Sequence, residues 1–564
     1  AGTTLLLAGG GSLSTWYFYD AAGRQVGSLD EQQFVTETVF DEATNTQQTV
    51  RYAAAYTAAV NSNTGFATLK AAVSGSARQT STTAFDGQGR VAQRTATDGT
   101  VTAYEYDAAG RLVRETRAQG TPEARSVLTR YDAFGQTIGK LLGEASGRIT
   151  VGMTDAQVAA VYAQYGLTYR YDAAGRVASA SDALGNRTLS YYDAAGRLTH
   201  VINALGEVSE TRYTAFGDAS ERATLTNRLS TANTATLSGG LLTVQVNALV
   251  QAIRDANTDN RSFYAYTTSG TLAGSSDALG NTVGYAYNLF GEQVGSLRTS
   301  TSGTTIRESL AYNRRGELIG KEEDVGGLSR TSGVSYDAFG RVINRIDGRG
   351  QINSTSYLDN GRVIVESNPL SQTQGREYDA FGRVLRQMDA RGLITTYSYN
   401  DSTRTLVVTT PDGLAMTTVR NRHGETLTIT DSKGSTQTFS YDKNGQQIAS
   451  TDGLGRTTTN TFDVAGHLLS VTDAVGRVTT YGYDAANRMI SRTDAAGVVT
   501  QYAFDGQGRK VRMTEAGQRI TDYAYDRKGQ LLTVVQDPNG LKLTTTYTYD
   551  GFGRQVQMAR GTTA

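Results

Sequence analysis

A step of 21 residues governs this sequence. An aromatic residue followed by aspartate returns at Tyr441-Asp442, Phe462-Asp463, Tyr483-Asp484, Phe504-Asp505 and Tyr525-Asp526, always 21 residues on. The same step links Tyr336, Tyr357, Tyr378 and Tyr399, then Arg420, where the ring is lost, then Tyr441. Earlier it links Phe85 to Tyr106, Tyr171 to Tyr192 to Tyr213, and Tyr266 to Tyr287; with Tyr19, Tyr131, Tyr312 and Tyr549 the chain holds 21 repeats. A chain built this way buries each copy against its neighbours. Its 564 residues also exceed the ~250–300 at which a single core stops growing.

One repeat reads Tyr-x-Tyr-Asp-x-x-Gly-Arg-Leu/Val. In Tyr104-Glu105-Tyr106-Asp107 and Tyr481-Gly482-Tyr483-Asp484 the period of two puts both rings on one face of a strand. The aspartate then opens a turn, accepting backbone N–H groups two residues on, and glycine supplies a positive φ. Tyr106, Asp107, Gly110 and Arg111 show this first turn, as do Tyr171, Asp172, Gly175 and Arg176. Tyr336, Asp337, Gly340 and Arg341 repeat it, then Tyr378, Asp379, Gly382 and Arg383, and Tyr441, Asp442 and Gly445. A second turn follows eleven residues after the aromatic, at Asp182-Ala-Leu-Gly185, Asp277-Ala-Leu-Gly280, Asp347-Gly-Arg-Gly350, Asp389-Ala-Arg-Gly392, Asp452-Gly-Leu-Gly455 and Asp473-Ala-Val-Gly476. Each repeat is therefore two short strands and two tight turns.

Strands lie ~4.8 Å apart, so 21 such repeats extend a sheet on the order of 200 Å. A ribbon that long twists and leaves a face unburied unless it coils on itself. The expected fold is all-β: a hairpin array coiling into a spiral, with a few inserted helices, and spacing alone does not decide between a filled and a hollow inside. Repeats are expected in 1–41, 85–140, 169–219 and 263–564, with interruptions at 42–84, 141–168 and 220–262. The second interruption spells a helix, with Thr154 as N-cap, Gln157 at the capping-box position, Val158, Val161, Tyr162 and Tyr165 on one face and Gly166 as stop. The third carries Val246, Leu249, Val250 and Ile253 at helical spacing. Both are read as packing struts across the ribbon.

Composition narrows the chemistry. Cysteine is absent, which removes disulfides, thiolate metal sites and thiol nucleophiles. Lys+Arg and Asp+Glu are both 54, a balance that disfavours a generally basic nucleic-acid binder, and no long apolar run marks a membrane span. Tyr 32 against Trp 1, and 46 Arg against 8 Lys, favour half-buried faces where rings and guanidinium groups form ladders. His200, His423 and His467 each fall near a turn and read as solvated, with no partner at metal spacing. Asx turns account for the aspartates without calcium, and Asp86-Gly-Gln-Gly89 and Asp505-Gly-Gln-Gly508 are hairpin turns rather than phosphate loops. Glu322-Glu323-Asp324 reads as a solvated acidic loop. No catalytic, cofactor or metal site is expected.

The motif in Tyr106-Asp-Ala-Ala-Gly-Arg111, Tyr171-Asp-Ala-Ala-Gly-Arg176, Tyr336-Asp-Ala-Phe-Gly-Arg341 and Tyr378-Asp-Ala-Phe-Gly-Arg383, with its 21-residue step, resembles the YD repeat of Rhs proteins. The same repeat occurs in Tc-toxin shell subunits and teneurins. The resemblance implies a spiralling β-sheet shell, which in bacterial relatives is hollow and encloses a toxic C-terminal domain. In teneurins it is an extracellular adhesion scaffold. Bacterial shells end in a core segment with an Asp-Pro-x-Gly-Arg-type motif and an aspartyl self-cleavage site. Here Asp537-Pro538-Asn539-Gly540 is the nearest fragment and reads as an ordinary second turn, so the chain is expected to be a segment of a larger polypeptide. The leading expectation is a non-enzymatic, secreted or cell-surface shell whose partner is its own toxin or cargo domain. The alternative is an adhesion scaffold for cell-surface glycans or proteins.

Overall fold

A computed structural model describes residues 3–6, 12–325, 328–358 and 361–562. Strands dominate, and they follow the two-turn repeat. Val478–Tyr483 pairs antiparallel with Met489–Thr493, which pairs with Val499–Phe504, which pairs with Lys510–Glu515. Register slips by one residue at the repeat tyrosine, between Gly482 and Tyr483 and at the matching place in most hairpins. That slip is the bulge expected where a type I turn is followed by a left-handed glycine. The protein is an all-β hairpin array with inserted helices, as its repeat requires.

The strands gather into two compact units, each drawn from two distant stretches of sequence. The first comprises Ala1–Leu128 and Thr331–Thr457. Its inserted helix, Phe66–Val73, lies on the long strands Phe34–Asp41 and Thr46–Ala55. Leu29, Val35, Val50, Tyr52, Leu69 and Val73 form the core beneath it. Gly27 is needed there for close approach: a Cβ would sit 2.0 Å from the Phe66 ring. The interruption is narrower than the sequence implies. Thr46–Ala55 pairs directly with Arg78–Phe85 and both continue the ladder, so only the segment between them leaves it.

The second unit comprises Thr129–Arg330 and Thr458–Ala564. Helix Asp155–Tyr165 starts at Thr154 with the full capping box to Gln157. Gly166 ends it in extended geometry (φ −107°) rather than in the left-handed turn of a usual glycine stop. Glycine is required at that position by proximity, since a Cβ would lie 2.7 Å from the Tyr162 carbonyl oxygen and 2.9 Å from that of Lys140. Helix Val244–Ile253 buries Val246 and Val250 on Leu189, Tyr191, Ile202, Val208 and Leu225, with Leu249 and Ile253 at the margin. The short helices Gly143–Ser146 and Thr231–Thr236 complete the insertions. Helices Phe66–Val73 and Val244–Ile253 cover apolar sheet. Among the described residues, no helix is long and apolar enough to cross a membrane.

Candidate functional site

The repeated turn is a small hydrogen-bonded machine. Asp107 Oδ1 accepts the N–H groups of Ala109 (3.0 Å) and Arg111 (2.9 Å), while Oδ2 accepts Arg111 Nε at 2.7 Å. Gly110 donates to the Asp107 carbonyl and holds φ at +80°. The backbone donor of Arg111 keeps the Asp107 carboxyl below its ordinary range. Asp172 with Arg176, Asp337 with Arg341 and Asp379 with Arg383 repeat the same bonds around Gly175, Gly340 and Gly382. At Asp442 the acceptor role persists toward Asn444 and Gln446, with Gly445 at φ +85°.

Sequence reasoning did not find what the tyrosine and arginine then do. The hydroxyl of Tyr106 donates to the Val91 carbonyl, 15 residues back. Tyr192, Tyr213, Tyr357, Tyr399 and Tyr483 do the same to Val177, Leu198, Val342, Val384 and Leu468, at 2.7–3.1 Å. The acceptor is the residue after the preceding repeat's arginine slot, which holds arginine in all of these but the last, where it holds His467. That arginine lies over the same ring: Arg90 over Tyr106, Arg176 over Tyr192, Arg341 over Tyr357 and Arg383 over Tyr399, at 4.2–4.6 Å. These four pairs of repeats are thus latched by one hydrogen bond and one cation–π contact, each worth ~0.5–1.5 kcal/mol. The latch crosses insertions: Tyr171 reaches the Thr137 carbonyl and Tyr266 that of Ala219. The signal was available, because the apolar residue after arginine recurs with the ring.

Within each unit, the two stretches meet along their turns. In the first unit, Arg125 pairs with Glu425, His423 Nε2 meets the Glu123 carbonyl at 2.7 Å and Gln79 donates to Asp401 at 2.9 Å. In the second, Arg488 pairs with Glu207 (2.8 Å), Lys528 with Asp277 (2.9 Å), and Gly506 N–H donates to the Thr226 carbonyl (2.9 Å). The rule is constant. First turns of the later stretch face second turns, or their insertions, of the earlier one.

The histidines correct the sequence reading. His467 occupies the arginine slot of its turn, bonds Asp463 at 2.8 Å and stacks on Tyr483 at 4.7 Å. His423 is a turn residue but is engaged across the seam. His200 is neither solvated nor in a turn: it sits in strand Leu198–Ile202, 3% exposed, beneath the insertion that carries helix Val244–Ile253. Its Nε2 has no hydrogen-bond partner and stands 3.9 Å from Glu210. Glu210 and Glu221, both buried, are held by Arg212, Arg254 and Arg261. Burial pushes His200 below its usual value. In the first unit, Glu37 accepts from Tyr52 at 2.6 Å and pairs with Lys70; burial and that glutamate push the Tyr52 hydroxyl up to about 12. Glu322 and Glu323 also depart from expectation, since they lie in strand Leu318–Val325, where Lys321 pairs with Glu323 and Glu308. Asp324 is in that strand too, its side chain outside the described residues. Asp537-Pro538-Asn539-Gly540 is a turn, with Gly540 N–H on the Asp537 carbonyl. Among the described residues, no cluster of three or more His, Asp or Glu could hold a metal ion.

These turns agree with a family pattern. The RHS repeat model matches residues 85–122, 171–208, 378–415, 420–457, 462–499, 488–520 and 525–563. The chain carries RHS repeats. This RHS-repeat chain is similar to the crystal structure of TcdB2-TccC3 at 14% identity and TM-score 0.39, over 98% of this chain and 37% of that one. The Photorhabdus luminescens Tc holotoxin pore is similar at 14% identity and TM-score 0.45, over 97% and 30%. The chain therefore spans about a third of the length of these solved chains. The comparison with curated proteins gives no match.

Proposed function

We propose that this chain is a wall of a bacterial Rhs shell: a structural, non-enzymatic, secreted or surface protein that encloses a toxic domain or similar cargo. The observation that supports this reading most is the seam. In each unit the repeat ribbon comes back beside itself and is tied there by ion pairs and main-chain hydrogen bonds. A container needs a thin sheet whose free edges are sealed to each other. The chemistry of the repeat serves that end, since Asp, Arg, Tyr and Gly are consumed in turns and latches. Bacterial relatives that share the repeat imply the cargo. Electron cryo-microscopy of the purified protein tests the proposal. A wall one sheet thick around a low-density interior is expected; a protein-filled interior would overturn it.

A further inference from the structure

His200 Nε2 and Arg254 compete for one oxygen. In the second unit, Arg254 Nε donates to Glu210 Oε2 at 2.9 Å, and its Nη2 lies 2.7 Å from the same atom. His200 Nε2 faces that oxygen too, at 3.9 Å, and has no hydrogen-bond partner. The hydroxyl of Thr199 donates to the Tyr191 carbonyl, so its oxygen accepts from His200 Nδ1 at 3.1 Å. Nδ1 therefore carries the proton and Nε2 the lone pair. A buried base is thus aimed at a carboxylate that it can bond only after taking a proton.

Arg254 is replaceable at both of its carboxylates. Arg212 Nε holds Glu210 Oε1 at 2.7 Å; Arg261 Nε holds Glu221 Oε1 at 2.7 Å, where Arg254 lies at 3.3 Å. Arg212 and Arg261 stand in strands Val208–Tyr213 and Asn260–Tyr266, fixed by the ladder. Arg254 belongs to the insertion, one residue past helix Val244–Ile253. Facing His200 are Tyr191 and Glu210 on the paired strands, Arg212 beyond Glu210, and Arg254 from the insertion. Three guanidinium groups already outnumber the two buried carboxylates, so a proton on His200 adds to an excess of positive charge.

We propose that His200 is an acid-operated release: once protonated it takes Glu210 Oε2 from Arg254, and helix Val244–Ile253 lifts off the apolar sheet it covers. Glu210 keeps Arg212 and Glu221 keeps Arg261, so the displaced group is the one that ties the insertion down. Leu189, Ile202, Val208 and Leu225 then lose their cover. Mildly acid surroundings thereby turn a closed stretch of sheet into an apolar patch open to association.

Hydrogen exchange of the purified chain at about pH 7.5 and about pH 5, read by mass spectrometry and corrected for intrinsic rates, tests this. A histidine that titrates near 6.5 once uncovered favours opening by at most about 30-fold at the lower pH. Protection across helix Val244–Ile253 should fall by about tenfold or more. Helix Phe66–Val73 of the first unit, tied by Lys70 to Glu37, should keep its protection. His200→Gln should hold the insertion closed at both pH values. Arg254→Gln should show at neutral pH the exchange that the parent shows in acid. Protection that ignores pH would overturn the proposal, as would an acid loss that persists in His200→Gln or strikes both helices alike. So would Arg254→Gln exchanging as the parent does at neutral pH. Melting curves check that the variants fold; should His200→Gln melt early, Arg254→Gln and the two-helix comparison in the parent decide.

Discussion

Arg125 and Glu425, 300 residues apart, meet in a two-pronged ion pair with both N···O distances at 2.6 Å. Glu425 fills the arginine slot of its own turn and also accepts from Asn421 at 2.6 Å. Burial pushes its carboxyl up, yet the bonds from Arg125 and Asn421 outweigh that and hold it below its usual range. The pair is about four-fifths buried. Removing one partner strands the other charge, so Arg125→Ala and Glu425→Gln should each cost about 1–3 kcal/mol. Urea melts of both singles and the double should give a coupling of at least ~0.5 kcal/mol. Additive losses would mean the pair does not tie the two stretches.

Gly445 and Gly413 separate turn strain from seam contact. Both hold positive φ, +85° and +82°. A Cβ on Gly413 meets open space, whereas one on Gly445 would lie 2.7 Å from Glu425 Oε1 and 3.2 Å from Arg125. Gly413→Ala should cost about 1 kcal/mol from backbone strain alone. Gly445→Ala should cost more, and Gly445→Val about 1–3 kcal/mol. Equal denaturation midpoints for the two alanine variants would contradict the close approach.

The latch can be read one hydroxyl at a time. Tyr483→Phe removes the bond to the Leu468 carbonyl but keeps the ring under His467. A loss of about 0.5–1.5 kcal/mol is expected, with hydrogen exchange rising in the adjacent strand. No change in either measurement would show the hydroxyl to be idle.

How much of this was legible follows from range. The Asx turn and the positive φ at Gly110 and Gly175 are dictated within five residues, so the motif displays them. The tyrosine latch spans 15 residues and was hidden only because ring and acceptor sit in different repeats. The pairing of Arg125 with Glu425 depends on how many repeats intervene before the ribbon returns, which no local pattern encodes. His200 was misplaced for a related reason. Its parity with Ile202 puts it on the inner face of a strand, but its burial comes from the insertion that carries Arg254, remote in sequence.

That burial gives a pH dependence. Glu210, Arg254 and Arg212 are the charges acting on His200, and desolvation lowers its proton affinity in the folded state. The unfolded chain, with its histidine near 6.5, then takes up a proton that the folded chain refuses. Stability should therefore fall as pH drops below about 6.5. His200→Gln should flatten the profile between neutral and mildly acid pH in chemical denaturation. An unchanged slope in the variant would assign the dependence elsewhere.

The turn aspartates act at lower pH. Asp86, Asp107 and Asp473 are held below their ordinary range, chiefly by the backbone N–H four residues on. A depressed carboxyl gives stability that is complete above its unfolded value and lost as pH falls through the folded one. Melting temperature should thus drop steeply only below about pH 4.

A zero-length carbodiimide cross-link reads the return of the ribbon most directly. Lys528 Nζ lies 2.9 Å from Asp277 Oδ2 across the seam, while Lys321 Nζ lies 3.0 Å from Glu308 on a neighbouring strand. With eight lysines in the chain, peptide mapping is unambiguous. The monomer should yield both the 528–277 and the 321–308 amides, and urea should abolish the first. A folded monomer that gives 321–308 without 528–277 would contradict the account.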